Sequence, residues 1–403
     1  MTRKDLISDF FLFLETKFQY AIIHHLDELF KSSKDIDFVV GCRHINELTA
    51  VIQEYINKTG NLEILNIYKI DLKIYRIDLL FFVDKKVELI ELDACLLQRG
   101  VDILRINSIR LLKNRVSVDL DGITFFKLSP KDEYEYYVSK KAFKKDKVEN
   151  HFNYLKSILK EKKDSEIRND FDKFSKYYES SKFRIKKIKN KVLLLFSRLK
   201  TNPLLTIAFL GPDGSGKTTV IEKLIKSNFY RYTPYFHLKP IKSKDSRVVH
   251  NPHQLKEYSK SISFIKLIYF VLQYNLGWFK NILKYKIKSS LVVFDRYYYD
   301  ILADPKRYRY SGSKIAINFF SHFIPTPDII FILVTDSPKV IYSRKKEVEY
   351  NELVRQLDSY KQLNRIKNAH LIQVDKPINE VFSIISLVIC KKMQERHRTK
   401  KFI

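Results

Sequence analysis

The strongest constraint in this 403-residue sequence is one short glycine-rich segment. An apolar run, Leu204–Leu210, leads directly into GPDGSGKTT at Gly211–Thr219, and apolar residues at helical spacing follow. The pattern GxxxxGK[ST] between a strand and a helix predicts a P-loop, whose backbone N–H groups bind phosphate. Glycines are required because the backbone must fold tightly enough to aim those groups at one anion. The segment therefore predicts a nucleoside triphosphate site.

The polar residues of this loop have expected roles. Lys217 is expected to reach the β- and γ-phosphates, and the Thr218 hydroxyl is expected to coordinate magnesium. ATP and Mg²⁺ are therefore the expected cofactors. The candidate ATP-binding residues are Gly211, Asp213, Gly214, Ser215, Gly216, Lys217, Thr218 and Thr219.

Short apolar strands alternate with longer helical stretches after Pro203. This alternation predicts right-handed βαβ units and a parallel sheet covered by helices on both faces. Ligands bind such sheets at the carboxyl ends of the strands. The predicted strands are 204–210, 234–238, 291–294, 329–334 and 370–374.

A second motif, Asp295-Arg296-Tyr297, follows the predicted strand 291–294. A carboxylate at the end of a buried parallel strand can hold magnesium or an acceptor hydroxyl. The adjacent arginine can bind an anionic acceptor through two hydrogen bonds. Asp295 and Arg296 therefore join Lys217 as candidate catalytic residues, and Asp295 joins Thr218 as a candidate metal ligand.

Three motifs together resemble those of thymidylate-kinase-like enzymes over roughly 204–388. They are GPDGSGKTT, DRYYYD at 295–300, and SRKKE at 343–347. The resemblance implies that the Asp-Arg pair lies where the two substrates meet. It also implies a lid in which Arg344, assisted by Lys345 or Lys346, closes over ATP. An ATP-dependent kinase acting on a small-molecule acceptor is the expected function.

The acceptor is left open, because no thymine-recognition residue can be placed on this sequence. Several segments resemble a divergent branch of thymidylate-kinase-like proteins predicted in association with bacterial surface-polysaccharide synthesis: 304–310, 237–240 and 251–253. Arg307 and Arg309, with Arg296, are candidate acceptor-binding residues for a nucleotide or for another anionic or sugar acceptor. The alternative is that Arg307 and Arg309 pack against neighbouring tyrosines at the surface.

The first 130 residues carry a different carboxylate pattern. Asp35 and Asp37 stand two residues apart at the start of an apolar strand, so their side chains share one face of it. A divalent cation can stabilise such facing carboxylates. The pattern resembles the nucleotidyltransferase fold, which implies metal-dependent nucleotidyl transfer with a third carboxylate. Asp93, closing the strand 87–92, is the candidate for that third ligand, and Asp78 is the alternative.

The usual Gly-Ser before that strand is not evident in 21–34, where His24-His25-Leu26-Asp27 stands instead. An acceptor-binding or inactive domain is therefore the alternative to an active nucleotidyltransferase. The predicted order is an α/β nucleotidyltransferase-like domain at 1–130, a lysine-rich helical extension and linker at 131–200, and an α/β P-loop kinase domain at 201–403. Apolar residues at three-and-four spacing predict the helices of the middle segment.

The net charge of +28 raises the question of an anionic partner. Residues 140–200 alone hold 20 basic and 8 acidic residues. A solvated lysine-rich surface is the favoured interpretation. The alternatives are an ATP-dependent nucleic-acid-binding protein and a nucleotide-gated scaffold at an anionic membrane surface, the latter through the basic amphipathic segment Arg184–Lys200.

Three widely spaced cysteines without a CxxC motif argue against a disulfide framework or a zinc site, so a cytoplasmic location is expected. The longest apolar region, 264–283, is interrupted by Lys266, Gln273, Asn275 and Lys280. We therefore expect no transmembrane segment but a buried structural helix or helix pair. A homodimer is compatible with the sequence.

Overall fold

The computed structural model describes residues 2–399 apart from 24–29, 31–34, 72, 84–85, 98–106, 202–203, 242–252, 254, 289 and 347. Two predicted features, His24–Asp27 and Asn251-Pro252, lie outside this range. The chain forms two compact units. The first comprises Met1–Val83, Glu88–Thr201 and Gln394–Ile403, and the second comprises Asp84–Val87 and Asn202–Met393.

The first unit contains a mixed seven-stranded sheet in the order β3-β4-β5-β2-β1-β7-β6. β2 pairs in parallel with β5, and this register places Asp37 opposite Asp93. β5 continues to Leu96, so Asp93 lies inside the strand; the expectation that Asp93 closes it was wrong. The strands are β1 Tyr20–Ile22, β2 Ile36–Val40, β3 Leu62–Lys69, β4 Ile74–Val83, β5 Lys86–Leu96, β6 Val116–Leu120 and β7 Ile123–Lys127.

Seven helices accompany this sheet within the described residues. α1 and α2 pack their apolar faces against it, with Phe11, Leu48 and Ile52 fully buried. α4, α5 and α6 share a small core of their own around Val138, Leu155 and Ile167. The helices are α1 Arg3–Glu15, α2 Ile45–Thr59, α3 Ser108–Lys113, α4 Pro130–Lys144, α5 Phe152–Ile158, α6 Asp164–Glu179 and α7 Ser181–Thr201.

The second unit is built on a five-stranded sheet in the order β12-β11-β8-β10-β9, and every pairing is parallel. The predicted parallel sheet is confirmed, and each strand lies within one residue of its predicted bounds. Its central strand, β8, is buried along its whole length and leads into the glycine-rich loop. The strands are β8 Leu204–Leu210, β9 Tyr235–His237, β10 Ser290–Asp295, β11 Ile329–Val334 and β12 Ala369–Gln373.

Helices connect these strands as βαβ units require. A π-helical turn, Trp278–Ile282, and a 3₁₀ turn, Leu283–Tyr285, extend α9. The helices are α8 Lys217–Lys226, α9 Lys260–Gly277, α10 Asp300–Ala303, α11 Lys314–Ser321, α12 Pro338–Arg344, α13 Tyr350–Gln362 and α14 Ile378–Thr399.

The apolar region 264–283 departs from its predicted environment. It is helical as expected, but the side of α9 that faces away from the core is exposed and still apolar, so the expectation of a buried helix was wrong for that side. The helix together with its turns, Lys260–Tyr285, also has the length and composition to cross a membrane, with only 28% of its most apolar window buried. The lysines in this segment indicate an amphipathic helix. The sequence does not show which of its two opposite apolar sides packs against the core, because that depends on the tertiary structure.

Candidate functional site

The glycine-rich loop takes backbone angles that its glycines make possible. Gly211, Gly214 and Gly216 all have positive φ angles, of 144°, 82° and 84°. A Cβ on Gly211 would lie 2.6 Å from the carbonyl oxygen of Leu333 on β11. The loop therefore passes so close to the neighbouring strand that only glycine fits at this position.

Lys217 begins α8, and its side chain is buried against the loop. Its Nζ donates to the carbonyl oxygens of Gly211 and Pro212, both at 2.8 Å. Gly216 caps the helix without a side-chain hydrogen bond, so the first N–H groups of α8 are not satisfied by a capping side chain. Ser215 is buried, whereas Thr218 and Thr219 are exposed. The helix N-terminus and the lysine together make this loop suited to an anion.

Asp295 and Arg296 lie at the same edge of the sheet as the loop. β10 pairs with β8 so that Asp295 is opposite Phe209, and the Arg296 N–H donates to the Phe209 carbonyl at 2.9 Å. Arg296 has a left-handed φ of 69°, which is rare for a non-glycine residue and turns the chain sharply out of the strand. The parallel sheet thereby brings the second motif to the phosphate loop.

The Asp295 carboxylate is buried, and its two oxygens differ. Oδ2 accepts from the Tyr235 hydroxyl at 3.0 Å and lies 3.8 Å from His237 Nδ1, whereas Oδ1 has no hydrogen-bond partner among the described residues. Burial raises the pKa of Asp295, but His237 and the charges of Lys217 and Arg296 outweigh burial and lower it. The carboxylate therefore stays ionised, with one oxygen available to a further ligand.

The Arg296 guanidinium is held in a buried network. Its Nη1 donates to Asp300 Oδ2 at 2.6 Å, and the Tyr360 hydroxyl donates to Asp300 Oδ1 at 2.6 Å. The Tyr308 hydroxyl completes the set at 2.8 Å from Asp300 Oδ2. Burial lowers the pKa of Arg296, but the Asp300 carboxylate outweighs burial and raises it well above the usual value. Arg296 is therefore a fixed cation with one buried counter-ion.

Asp213 links the loop to two arginines. Its Oδ1 accepts from Arg296 Nη2, and its Oδ2 accepts from Arg307 Nη2. The Asp213 carboxylate therefore binds Arg296 and Arg307, whereas the sequence predicts a role for Asp213 in ATP binding. Arg307 also donates through Nε to Asp304 at 3.2 Å. The loop, Arg296 and Arg307 form one connected cluster.

The other predicted site residues have contacts of different kinds. Arg309 stacks on Tyr258 with its guanidinium carbon 4.0 Å from the ring centre, and it donates to the Lys256 carbonyl at 2.7 Å. Arg344 ends α12 and donates to the Val374 carbonyl at 3.1 Å. Lys345 lies beside the loop, because a Cβ on Gly214 would lie 3.1 Å from its Cβ.

The first unit brings its three candidate metal ligands together. One carboxylate oxygen each from Asp35, Asp37 and Asp93 lies within 4.8 Å of the others. Arg76, however, donates to Asp35 at 2.6 Å and to both oxygens of Asp93 at 2.7 Å, and Lys140 lies 3.4 Å from Asp37. The donor atoms suit a divalent cation, but the Arg76 guanidinium already occupies the position between Asp35 and Asp93, and it also pairs with Glu91 at 2.7 Å. A metal fits this cluster only if the guanidinium leaves it.

Burial raises the pKa values of two acidic residues in this part of the sheet. Burial raises the pKa of Asp93 to about 6, although the hydrogen bonds and charge of Arg76 act in the opposite direction. Asp78, the alternative third ligand, is fully buried, and burial raises its pKa well above the usual value. Asp78 does not belong to the group of candidate ligands found among the described residues.

Sequence reasoning missed the residues that hold Arg296 in place. In the sequence, Asp300 is notable only as the last residue of DRYYYD, and Tyr360 belongs to no motif. One signal was present, since Asp300 follows Arg296 at the i+4 spacing of a helical ion pair. Tyr360 lies 60 residues beyond Asp300, so only the tertiary fold reveals that contact.

The residues of the second unit fit ATP and Mg²⁺ by two observations. The loop presents a buried lysine and the uncapped N-terminus of α8, which suit phosphate oxygens. The exposed Thr218 hydroxyl and the unpartnered Asp295 Oδ1 supply hard oxygen ligands of the kind that magnesium prefers.

Comparisons with known proteins add structural likenesses. No protein-family model and no curated protein matches this sequence. A thymidylate kinase from Ehrlichia chaffeensis is similar over 46% of this chain and 98% of its own, with 21% identity and a TM-score of 0.34. A thymidylate kinase from Candida albicans is similar over 48% and 93%, with 16% identity and a TM-score of 0.35.

A deoxyadenosine kinase from M. mycoides is also similar, over 45% of this chain and 96% of its own, with 17% identity and a TM-score of 0.30. Identities and TM-scores this low say nothing about activity or substrate. The function must therefore be supported by the residues of the site themselves.

Proposed function

We propose that the second unit is an ATP- and Mg²⁺-dependent phosphotransferase that acts on an anionic small-molecule acceptor. The observation that carries the proposal is that β8 and β10 are adjacent parallel strands, so that Lys217, at the end of the loop that follows β8, and the Asp295-Arg296 pair, at the end of β10, lie at one edge of one sheet. Phosphoryl transfer requires mainly positioning and charge stabilisation, and this edge combines the buried cations Lys217 and Arg296 with the ionised Asp295 carboxylate.

Each residue has a role that follows from its contacts. Lys217 and the α8 N–H groups would bind the triphosphate, and Thr218 with Asp295 would hold magnesium, which neutralises charge on the transferred group when bound. Asp295 stays ionised and could instead accept the proton of an acceptor hydroxyl. Arg296, fixed by Asp300, would stabilise negative charge at the junction of the two substrates. Lys345, beside the loop, and Arg344 would supply further positive charge.

The acceptor side is defined by two arginines that share Asp213. Arg296 and Arg307 both donate to this carboxylate, so an acceptor phosphate or carboxylate could replace it as their partner. Arg309 is bound to Tyr258 and Lys256, which supports the alternative that it packs at the surface. A nucleotide or a sugar phosphate satisfies this requirement, whereas a neutral acceptor has no anion to take the place of Asp213.

The proposal predicts that Lys217→Ala abolishes phosphoryl transfer while the protein stays folded. Removal of the cation that would bind the β- and γ-phosphates should lower kcat by about a hundredfold or more. The measurement is label transfer from γ-labelled ATP to a panel of nucleotides, sugars and sugar phosphates. Lys226→Ala is the matched control, since Lys226 lies on the same helix with its side chain 80% exposed. Wild-type turnover in Lys217→Ala would refute the assignment.

For the first unit, the cluster of Asp35, Asp37 and Asp93 supports metal-dependent nucleotidyl transfer as a second candidate function. Arg76 opposes it, because its guanidinium already binds two of the three carboxylates, where a metal would otherwise lie. The two possibilities differ in what happens when Arg76 is removed.

We expect Mn²⁺ to leave the melting temperature of the wild-type protein unchanged and to raise that of Arg76→Gln. Without the guanidinium, the facing carboxylates repel one another, and the cation replaces the lost positive charge. Thermal unfolding with and without Mn²⁺ measures both effects. Arg168→Gln, which removes an exposed arginine of the same unit, is the control. A Mn²⁺-dependent rise in the wild-type protein would show that the cation displaces Arg76 and would favour the nucleotidyltransferase function.

A further inference from the structure

The second unit has an apolar surface on the side of α9 that faces away from its core. The inner side of α9 buries Leu267, Phe270 and Tyr274, and the Tyr274 hydroxyl donates to the Leu238 carbonyl. The opposite side carries large apolar residues that are 40% to 74% exposed: Ile262, Phe264, Ile265, Ile268, Tyr269, Leu272, Leu276, Phe279 and Leu283. A helix that packs on a core needs one apolar side, so the second side requires another explanation.

α11 extends this surface sideways. The Phe264 and Phe320 rings pack with their centres 5.4 Å apart, and the Asn275 amide donates to the Phe323 carbonyl at 2.8 Å. α11 and the turn after it add three exposed apolar side chains: Ile315, Phe319 and Phe323. We call these twelve exposed side chains of α9, its following turns and α11 the outer apolar face.

The segments that form the outer apolar face carry charge of one sign only. There is no Asp or Glu between Tyr258 and Phe294, but there are six lysines. Between Pro305 and Pro327 there is again no acidic residue, and there are four basic ones. Lys260, Lys280, Lys284 and Lys314 are exposed beside the apolar side chains.

The combination of lysines with exposed apolar side chains distinguishes between two possible occupants of the outer apolar face. A second copy of the chain, docked through the same face about a twofold axis, would bring lysines against lysines with no acidic residue in these segments to pair with them. An anionic membrane surface offers phosphates to the lysines and an apolar boundary to the side chains between them. Charge complementarity therefore selects the membrane.

We propose that the outer apolar face binds the surface of an anionic membrane. α9 lies along that surface and does not cross it, because its inner side packs into the core of the second unit, with the Tyr274 and Tyr297 rings 4.8 Å apart. The outer side chains enter the boundary between headgroups and acyl chains, and the lysines bind lipid phosphates.

Flotation of the full chain with vesicles tests the proposal directly. With about 30% phosphatidylglycerol at about 0.1 M salt, the wild-type protein is expected to float, and with neutral phosphatidylcholine or at about 0.5 M salt it is expected not to. The triple variant Leu272→Ser, Leu276→Ser, Phe279→Ser should lower the bound fraction at least about tenfold. A matched variant of the exposed apolar positions of α7, Ile188→Ser with Phe196→Ser, should float like the wild-type protein.

A fluorescence reporter locates the contact independently of affinity. The chain has a single tryptophan, Trp278, so Trp278→Phe with Phe279→Trp moves the only indole to a position that is 74% exposed at the centre of the face. Brominated lipid in anionic vesicles should quench this indole. The control, Trp278→Phe with Phe196→Trp, places the indole on α7, where we expect no quenching.

Three outcomes would overturn the proposal. The first is a wild-type protein that does not float with anionic vesicles at low salt. The second is flotation unchanged in the triple variant, with circular dichroism confirming that it is folded. The third is a wild-type dimer that does not bind vesicles and that the triple variant converts to a monomer in light scattering, which would assign the face to a second copy. None of these measurements requires ATP, so they leave the proposed phosphotransferase activity untouched.

Discussion

At the scale of single residues, the site depends on how buried charges are compensated. Arg296 is only 3% exposed, and Asp300 is not exposed at all. A buried cation requires a partner, because the loss of hydration is not repaid by the protein interior alone. The identity of that partner therefore decides both stability and the position of the guanidinium.

Asp300→Asn is expected to lower the free energy of unfolding by about 2 to 4 kcal/mol, since it removes the fully buried carboxylate that pairs with Arg296 and leaves only the partly exposed Asp213. Its amide also cannot accept hydrogen bonds from Arg296 and both tyrosine hydroxyls as the carboxylate does. Urea unfolding measures the change. Asp336→Asn is the control, because Asp336 is exposed and pairs with Lys361 at the surface, where a loss below about 0.5 kcal/mol is expected. Equal losses in the two variants would contradict this account.

Asp304 should make stability depend on pH. Burial, with the nearby Asp300 charge, raises the pKa of Asp304 to about 7 from its usual 3.8. The folded state then binds a proton that the unfolded state releases, so this contribution is complete below about pH 4 and is lost as the pH rises through about 7.

The expected result is that Asp304→Asn gains about 1 to 3 kcal/mol of stability relative to the wild-type protein between about pH 5 and pH 8. The asparagine does not titrate, so only the wild-type protein loses the proton-linked contribution. Urea unfolding of both proteins across this range measures the difference. A difference that does not change with pH would show that the Asp304 carboxylate stays ionised in the folded protein, paired with Arg307.

Much of this residue-level detail could not be read from the sequence. Lys217, Asp295 and Arg296 were identifiable because each stands at a set offset from a strand or a glycine pattern. The contacts of Asp213 could not be predicted, because its two arginine partners lie 83 and 94 residues away. A charged residue in a known motif reveals its type, but its partner is set by which elements the sheet places side by side.

At the scale of elements, the phosphate loop is shaped by the strand next to it. β11 pairs with β8, the strand that leads into the loop, and the Leu333 carbonyl of β11 leaves no room for a side chain on Gly211. Gly216 also has a positive φ, of 84°, but apart from its chain neighbours no atom lies within 4 Å of the position that its Cβ would take. Substitution of each glycine by alanine therefore distinguishes the cost of a positive φ from the cost of steric overlap with β11.

Gly211→Ala should therefore cost more stability than Gly216→Ala. The expected losses are about 2 to 4 kcal/mol for Gly211→Ala, from the overlap with β11, and about 1 kcal/mol for Gly216→Ala, from the positive φ alone. Chemical denaturation of the two variants and the wild-type protein measures the difference. Similar losses would mean that backbone angle, and not the neighbouring strand, restricts position 211.

The strands of the second unit were predictable to within a residue because they are short, apolar and bounded by polar segments. The helix α9 was predictable as a helix for the same reason. Its environment was not, since a helix that is apolar on two opposite sides presents the same composition whether it is buried or half exposed. The sheet β2–β5 of the first unit shows the same limit: the Asp35 and Asp37 pattern was visible, but the Arg76 guanidinium beside it was not.

At the scale of the whole molecule, charge and apolar surface are distributed unevenly. The net charge of +28 suggested a polyanion, and residues 140–200 carry much of the excess. In the second unit, lysines also lie beside exposed apolar residues, at the outer apolar face. Nucleic acid would contact the lysines but leave those apolar side chains in water, whereas a lipid surface accounts for both.

The P-loop, the parallel sheet around it and the Asp295-Arg296 pair could all be predicted from the sequence. These features are local: each is encoded in a run of consecutive residues with its own spacing and turn chemistry. The tertiary structure was needed to show that Asp213 binds two arginines, that Arg76 binds the Asp35 and Asp93 carboxylates, and that one side of α9 stays exposed. Those contacts join residues far apart in the chain, so they depend on how whole elements pack and on which charges burial forces to pair.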